Sequence, residues 1–248
     1  MMSKARARGS LCLSCSRALA DDLVAAHRIL AMHEVLDAYG HVSARSDGRP
    51  GRFVMSRSLA PALVTAADLM ELDADSEPLP GDLRKGFIER YIHGEIYRLR
   101  PEVTAIVHSH SVSVIPFGIT RSKLRPVYHM ASFLWSGAPV FDIRKVKPDN
   151  DLLIRDRSLG QALAGSLGAC TCVLMRGHGV TVVGESVPEA VFRAIYTEMN
   201  ACLQLQAVLL DGPIEFLSDE EGRRATASNR GTLERPWELW KRKALGRR

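Results

Sequence analysis

No apolar run in this chain approaches the roughly 20 residues needed to cross a bilayer, so the sequence holds no candidate membrane helix. Aromatic residues are few, at 6 %. No basic stripe is interleaved with rings on which bases would stack, which argues against a nucleic-acid surface despite a formal charge of +5. That charge gathers at the ends. Lys4, Arg6, Arg8 and Arg17 fall in residues 1–17 without an acid, the tail from Arg235 to Arg248 is basic again, and the stretch between is close to neutral. Cysteines number only five, an odd count. Cys12 and Cys15 form a CxxC, but no second pair completes a zinc site and no strand precedes it. Cys170, Cys172 and Cys202 sit among apolar neighbours, where a thiol behaves as a small hydrophobe. With no disulfide framework and no convincing secretory signal, the expected setting is a reducing cytoplasm, with neither nucleic acid nor membrane as partner.

What is present is an ordinary globular composition, 46 % hydrophobic and 25 % charged over 248 residues, enough for one domain with a sizeable core. Residues 1–17 are too polar to bury a core and are expected to be a disordered basic extension. Residues 18–215 are expected to form the functional domain. Residues 216–248 are expected to be a helical tail packed on that domain or on a neighbouring subunit, in which Trp237 and Trp240 suit capping an active site or a subunit interface as well as simple packing. Helical periodicity runs from about Leu19 to Tyr39, from Arg84 to Arg98, from Leu152 to Leu167 and from Val187 to Leu210. Short β-branched or apolar runs at Phe53–Met55, Leu69–Leu72, Thr104–Val107, Val127–Met130, Pro139–Ile143, Thr171–Met175 and Val180–Val183 read as strands. Strands and helices alternate through one layered α/β domain.

The chemistry concentrates in Val107-His108-Ser109-His110. On an extended segment, residues two apart point to the same side, so two imidazoles converge on one point. Neutral imidazole suits zinc, manganese, iron or cobalt. An isolated His-x-His is equally a polar pair at a strand end. Two further features bear on it. In Arg176-Gly177-His178-Gly179, flanking glycines let the backbone turn sharply and approach a ligand, although a hairpin that merely contains His reads the same way. In Glu89-Arg90-Tyr91-Ile92-His93, the acid and the histidine are four apart and share a helical face. Alone, Glu89 also reads as a solvated helix residue, and His93 as a satisfied core histidine.

Together with Gly40-His41-Val42-Ser43 and Tyr97-Arg98-Leu99-Arg100-Pro101, these segments resemble, in order and spacing, the class II aldolase/adducin family, from about Leu23 to Leu210. The resemblance implies a three-layer αβα sandwich around a central, mostly antiparallel sheet. It implies one divalent metal ion per subunit held by His108, His110 and His178, with zinc or manganese foremost and iron or cobalt also suited. Glu89 falls at the family's acid/base and sometime ligand. A homo-oligomer, a tetramer or a multiple of one with active sites near subunit interfaces, is implied as well.

The sugar-phosphate members of that family hold phosphate with an Asn and with hydroxyl-bearing residues. Here His41 takes the Asn position and Phe87 and Ile88 stand before Glu89, where apolar side chains offer a phosphate no donors. An apolar lining suits a flat ring instead. His41, Ser43, Phe87, His129 and Arg176 are therefore the candidate substrate-binding residues, with His41, His129 and Arg176 as cationic partners for carboxylates. This combination resembles the branch that decarboxylates hydroxylated aromatic or pyridine dicarboxylates. In that chemistry a metal-bound oxygen absorbs developing negative charge and an acid, here Glu89, protonates the vacated carbon. An aldolase or epimerase acting on a small hydroxy-carbonyl compound is the enzyme alternative. A non-catalytic adducin-like scaffold is the other, and it has no need of the three histidines that this sequence keeps.

Overall fold

A computed structural model describes residues 13–210 and 212–246. The chain opens on helix α1 (Arg17–Met32), followed by strands β1 (His41–Arg45), β2 (Phe53–Ser56) and β3 (Leu69–Leu72). Helix α2 (Arg90–Leu99) leads to β4 (Ala105–Ser109), the short α3 (Ile115–Ile119) and β5 (Val140–Phe141). Then come α4 (Arg157–Leu167), the hairpin β6 (Cys172–Met175) and β7 (Gly179–Gly184), and the long α5 (Val187–Val208). Two further helices, α6 (Asp219–Arg230) and α7 (Glu234–Ala244), complete the described chain.

The strands form one sheet in the order β3-β2-β1-β4-β7-β6-β5. Every neighbouring pair is antiparallel except β5 with β6. Alternation along the strands assigns the two faces. Val42, Ala44, Val107, Leu174 and Val182 join α1, α5 and Trp237 and Trp240 of α7 in one apolar cluster. Met55, Ile106, Val173 and Val183 join Ile92 and Ile96 of α2 and Leu159, Leu163 and Leu167 of α4 in the other. The result is the expected αβα sandwich. No helix among the described residues is long and apolar enough to cross a membrane.

Several boundaries move, each for a local reason. The first helix ends at Met32 rather than Tyr39, because Glu34 adopts a left-handed φ of 58° that no helix can carry through. The helix expected from Arg84 starts only at Arg90, with Glu89 at its N-cap position. The one expected from Leu152 starts at Arg157, where the Asp156 carboxylate accepts from the Leu159 N–H, and Leu152 itself lies at a φ of 69°. Val127–Met130 is not a strand. Its backbone is claimed by α5 side chains: Val127 N–H donates to Asn200 Oδ1, and Asn200 Nδ2 donates to the Arg125 carbonyl. The next residues form a 3-10 helix, His129–Ser136. β1 escaped the strand reading because His41 and Ser43 make one of its faces polar.

Of the basic segment 1–17, residues 1–12, with Cys12 of the CxxC, lie outside the described residues. Residues 13–17 belong to the domain and not to a disordered arm. Leu13 and Cys15 pack against the α1 cluster, the N–H and hydroxyl of Ser14 donate to the buried Glu71 carboxylate, and Ser16 Oγ caps α1. The C-terminal helices pack on their own chain. Trp240 meets the His33 ring edge-on at 5.2 Å, and Lys241 pairs with Asp22 of α1.

Two histidines of this frame are buried and neutral. Burial drops His27 to about 4, against the pull of its bond to the Leu23 carbonyl, and drops His93 to about 3. A depressed folded value means that the unfolded chain binds more protons between that value and about 6.5, so stability falls as pH falls through this window. Each buried histidine contributes about 1.4 kcal/mol per pH unit there. Denaturant unfolding from pH 7 to pH 4 should show this slope, and His27→Leu should remove about one proton's worth of it.

Candidate metal centre

β1, β4 and β7 lie side by side at the middle of the sheet, and their register brings His41 opposite His108 and His108 opposite Thr181. Residues paired across antiparallel strands share a face. One polar row therefore crosses the sheet on the side covered by α2 and α4. His110 follows at the end of β4, and His178 occupies the β6–β7 turn. Gly179 is what lets that turn close on β4: a Cβ there would lie 2.1 Å from the Ser109 carbonyl oxygen. Gly40 does the same before β1, at a φ of 86° and with the His108 carbonyl 2.8 Å from where a Cβ would stand.

Glu89, His108, His110 and His178 each bring one ligand atom to within 4.8 Å of the others. Glu89 Oε2 is 3.4 Å from His178 Nε2 and 3.7 Å from His108 Nε2, and the His110 and His178 Nε2 atoms are 3.1 Å apart. The outward nitrogens are fixed by neighbours. His178 Nδ1–H donates to the Leu152 carbonyl at 2.9 Å. The Thr181 hydroxyl donates to Met175 Sδ, leaving its oxygen to accept from His108 Nδ1–H at 3.2 Å. Both bonds put the proton on Nδ1 and turn the Nε2 lone pair inward, as a metal ligand requires. Ile154 N–H holds Glu89 Oε1 at 2.9 Å and leaves Oε2 facing the histidines.

Burial favours the neutral form of two of the three rings, and the carboxylate pulls the third the other way. Burial first, then the neighbouring histidines, holds His108 well below its ordinary value, and burial with His178 lowers His110. For His178, burial opposes the cation, but the Glu89 carboxylate and the Leu152 carbonyl outweigh it and raise the ring. His108 Nε2 is sealed from solvent and has no hydrogen-bond partner. An unsatisfied buried nitrogen costs about 1–3 kcal/mol, and a cation at the centre of the four donors satisfies it. Three imidazoles and a carboxylate fit a divalent metal.

The expected substrate residues divide. Phe87 packs its ring 4.6 Å from that of His41, which in turn lies 5.0 Å from the His108 ring, so both stand at the cluster. Ser43 is fully buried, with its hydroxyl shared between His93 and Tyr97. Arg176 Nε donates to Asp142, which Arg144 also grips. His129 is exposed at the head of the 3-10 helix, where its carbonyl accepts from Asn229 of α6. Thr181, Leu152 and Ile154, which orient the ligands, went unforeseen. Thr181 alone carried a signal, as the one polar residue inside Val180–Val183.

The family model described as the class II aldolase and adducin N-terminal domain matches residues 21–205. The chain belongs to the class II aldolase and adducin family. It is 44 % identical over 237 residues to decarboxylase tropJ of Talaromyces stipitatus, covering 86 % of this chain and 89 % of that one. It is 29 % identical over 233 residues to 3,4-dihydroxyphthalate decarboxylase of Arthrobacter keyseri, covering 89 % and 86 %. Among solved structures, the L-fuculose 1-phosphate aldolase of Glaciozyma antarctica superposes with a TM-score of 0.75 at 22 % identity, covering 93 % and 92 %, a likeness of fold.

Purified protein should carry one divalent ion per chain by elemental analysis, and its removal should lower the thermal midpoint. The double substitution His108→Ala with His110→Ala should abolish binding and leave the far-ultraviolet dichroism unchanged. Gly179→Ala should also lose the ion and cost about 1–3 kcal/mol of stability through overpacking against β4.

Proposed function

We propose that the protein is a metal-dependent carboxy-lyase acting on a hydroxylated aromatic or pyridine dicarboxylate. The observation that carries this reading is the Phe87 ring against His41 beside the four-donor cluster, an apolar wall where the sugar-phosphate members have hydroxyl donors. The decarboxylases tropJ and 3,4-dihydroxyphthalate decarboxylase among its relatives support it. His108, His110 and His178 hold the ion, zinc or manganese in first place, and Glu89 Oε2 lies within the same donor set. When bound, the ion supplies Lewis acidity to a substrate oxygen and lowers the cost of negative charge by several kcal/mol.

The chain's own residues do the rest. Phe87 and His41 orient the ring. Glu89, carrying a proton, gives it to the ring carbon that holds the carboxylate while the hydroxyl oxygen feeds electron density into the ring, and Glu89 becomes the carboxylate. The C–C bond then breaks, its electron pair restores the aromatic ring and carbon dioxide leaves, so that one proton is consumed per carbon dioxide released. Arg176, whose bond to Asp142 uses only Nε, and His129 are placed to meet substrate only if the segments carrying them approach the cluster. Exposed Val112 and Ile119 beyond the His-x-His, with Met199 and Leu203 on α5, support a homo-oligomer with the sites near its interfaces.

Metal-loaded protein incubated with 3,4-dihydroxyphthalate and related ring dicarboxylates should release carbon dioxide. Glu89→Gln should slow that release by about 10²–10⁴-fold, the usual worth of a positioned proton donor, with metal content measured alongside. Cleavage of a hydroxy-carbonyl compound without any carbon dioxide release would favour an aldolase instead.

A further inference from the structure

Beside the metal cluster, four buried side chains form a single hydrogen-bonded file. His41 Nδ1 lies 2.6 Å from His93 Nε2, His93 Nδ1 lies 2.6 Å from Ser43 Oγ, and Ser43 Oγ lies 2.8 Å from the Tyr97 hydroxyl. The file ends at the Thr104 carbonyl, 3.5 Å from the Tyr97 oxygen. His93 and Ser43 are fully buried, and His41 and Tyr97 are 3 % and 5 % exposed. A neutral imidazole has one N–H and a hydroxyl one O–H, and the buried Ser43 hydroxyl has no acceptor but His93 and Tyr97, so the file has only two polarities in which its proton is bonded.

In one, every proton points away from His41, and Tyr97 must donate to Thr104. That contact is longer than a hydroxyl hydrogen bond allows, and the Thr104 carbonyl already accepts from the Arg45 N–H at 2.8 Å. In the other, Tyr97 donates to Ser43, Ser43 to His93 Nδ1, and His93 Nε2–H to His41 Nδ1. Every proton then sits in a contact of 2.6–2.8 Å. The second polarity leaves the His41 proton on Nε2. That nitrogen has no hydrogen-bond partner among the described residues and, unlike His108 Nε2, is not sealed from solvent.

We infer that Tyr97, Ser43 and His93 are positioning residues that fix His41 as a neutral Nε2–H donor, and that this donor binds a carboxylate oxygen of the substrate. Only the identity of that oxygen rests on the decarboxylase reading. The histidine was expected to meet a carboxylate as a cation. As a neutral donor it directs the carboxylate without neutralising it. With the file reversed, the same nitrogen would present a lone pair and repel the anion.

The test reads the tautomer and the kinetics separately. In zinc-loaded protein labelled with nitrogen-15 histidine, His41 should show a protonated Nε2 and an unprotonated Nδ1. Tyr97→Phe removes the first donor and should shift His41 toward the Nδ1–H form. The KM for 3,4-dihydroxyphthalate should then rise about 10- to 100-fold, the worth of a hydrogen bond to a charged group, with kcat changed far less. Ser43→Ala, which cuts the file at its centre, should do the same. A wild-type His41 found as Nδ1–H would overturn the inference even if both variants failed to fold. So would variants that leave both tautomer and KM unchanged. An Nε2–H tautomer in a protein that releases no carbon dioxide from any ring dicarboxylate would sink the decarboxylase reading alone.

Discussion

The register of β1, β4 and β7 puts three polar side chains, His41, His108 and Thr181, into one row at the centre of a sheet whose surroundings are apolar. A polar group buried in such a place must find a partner or destabilise the fold. Thr181 is engaged by Met175 and His41 by His93 on the covering helix, both from outside the row, whereas His108 is met by Thr181 within it and turns its unpartnered Nε2 toward the other three donors. Because the side-chain period of a strand is two, a slip of one residue would turn the whole row toward α1 and α5, among aliphatic side chains. The fold and the site are specified by the same pairing.

The histidines of the candidate cluster were legible in the sequence because their geometry is local. His108 and His110 share one side of an extended segment, and His178 is marked by the glycines on either side. Glu89 was legible for a different reason than the one first supposed. It stands at the N-cap position of α2, without a capping side-chain bond, rather than on the helix face, and Ile154 N–H holds one oxygen while the other faces the histidines. What the sequence hid was whatever depends on distant backbone. Nothing in Leu152 or Ile154 announces that their main-chain groups orient two ligands. Val127–Met130 reads as a strand, yet Gln204 and Asn200, far along the chain, supply residues 123–127 with the hydrogen bonds that a neighbouring strand would have given.

Among the candidate substrate residues, proximity in the motif was a poor guide to role. Ser43 lies two residues from His41 and on the same face, but its hydroxyl faces α2 and belongs to the supporting layer. Arg176 is two residues from His178, yet it follows β6 outward to Asp142. The residues that remain at the cluster, Phe87 and His41, form a wall of one apolar and one polar ring in contact. That pairing asks for a ligand that is itself flat on its faces and polar at its edge.

The stretch from Leu152 to Ile154 offers its carbonyl to the His178 ring and its N–H to the Glu89 carboxyl. Two donors of opposite character are thus trimmed by one short piece of backbone, which enters with Leu152 in a left-handed conformation. Displacing this piece would loosen the imidazole and free the carboxylate in the same movement. A change in the loop that leads into α4 would therefore reach two candidate donors at once without touching either side chain.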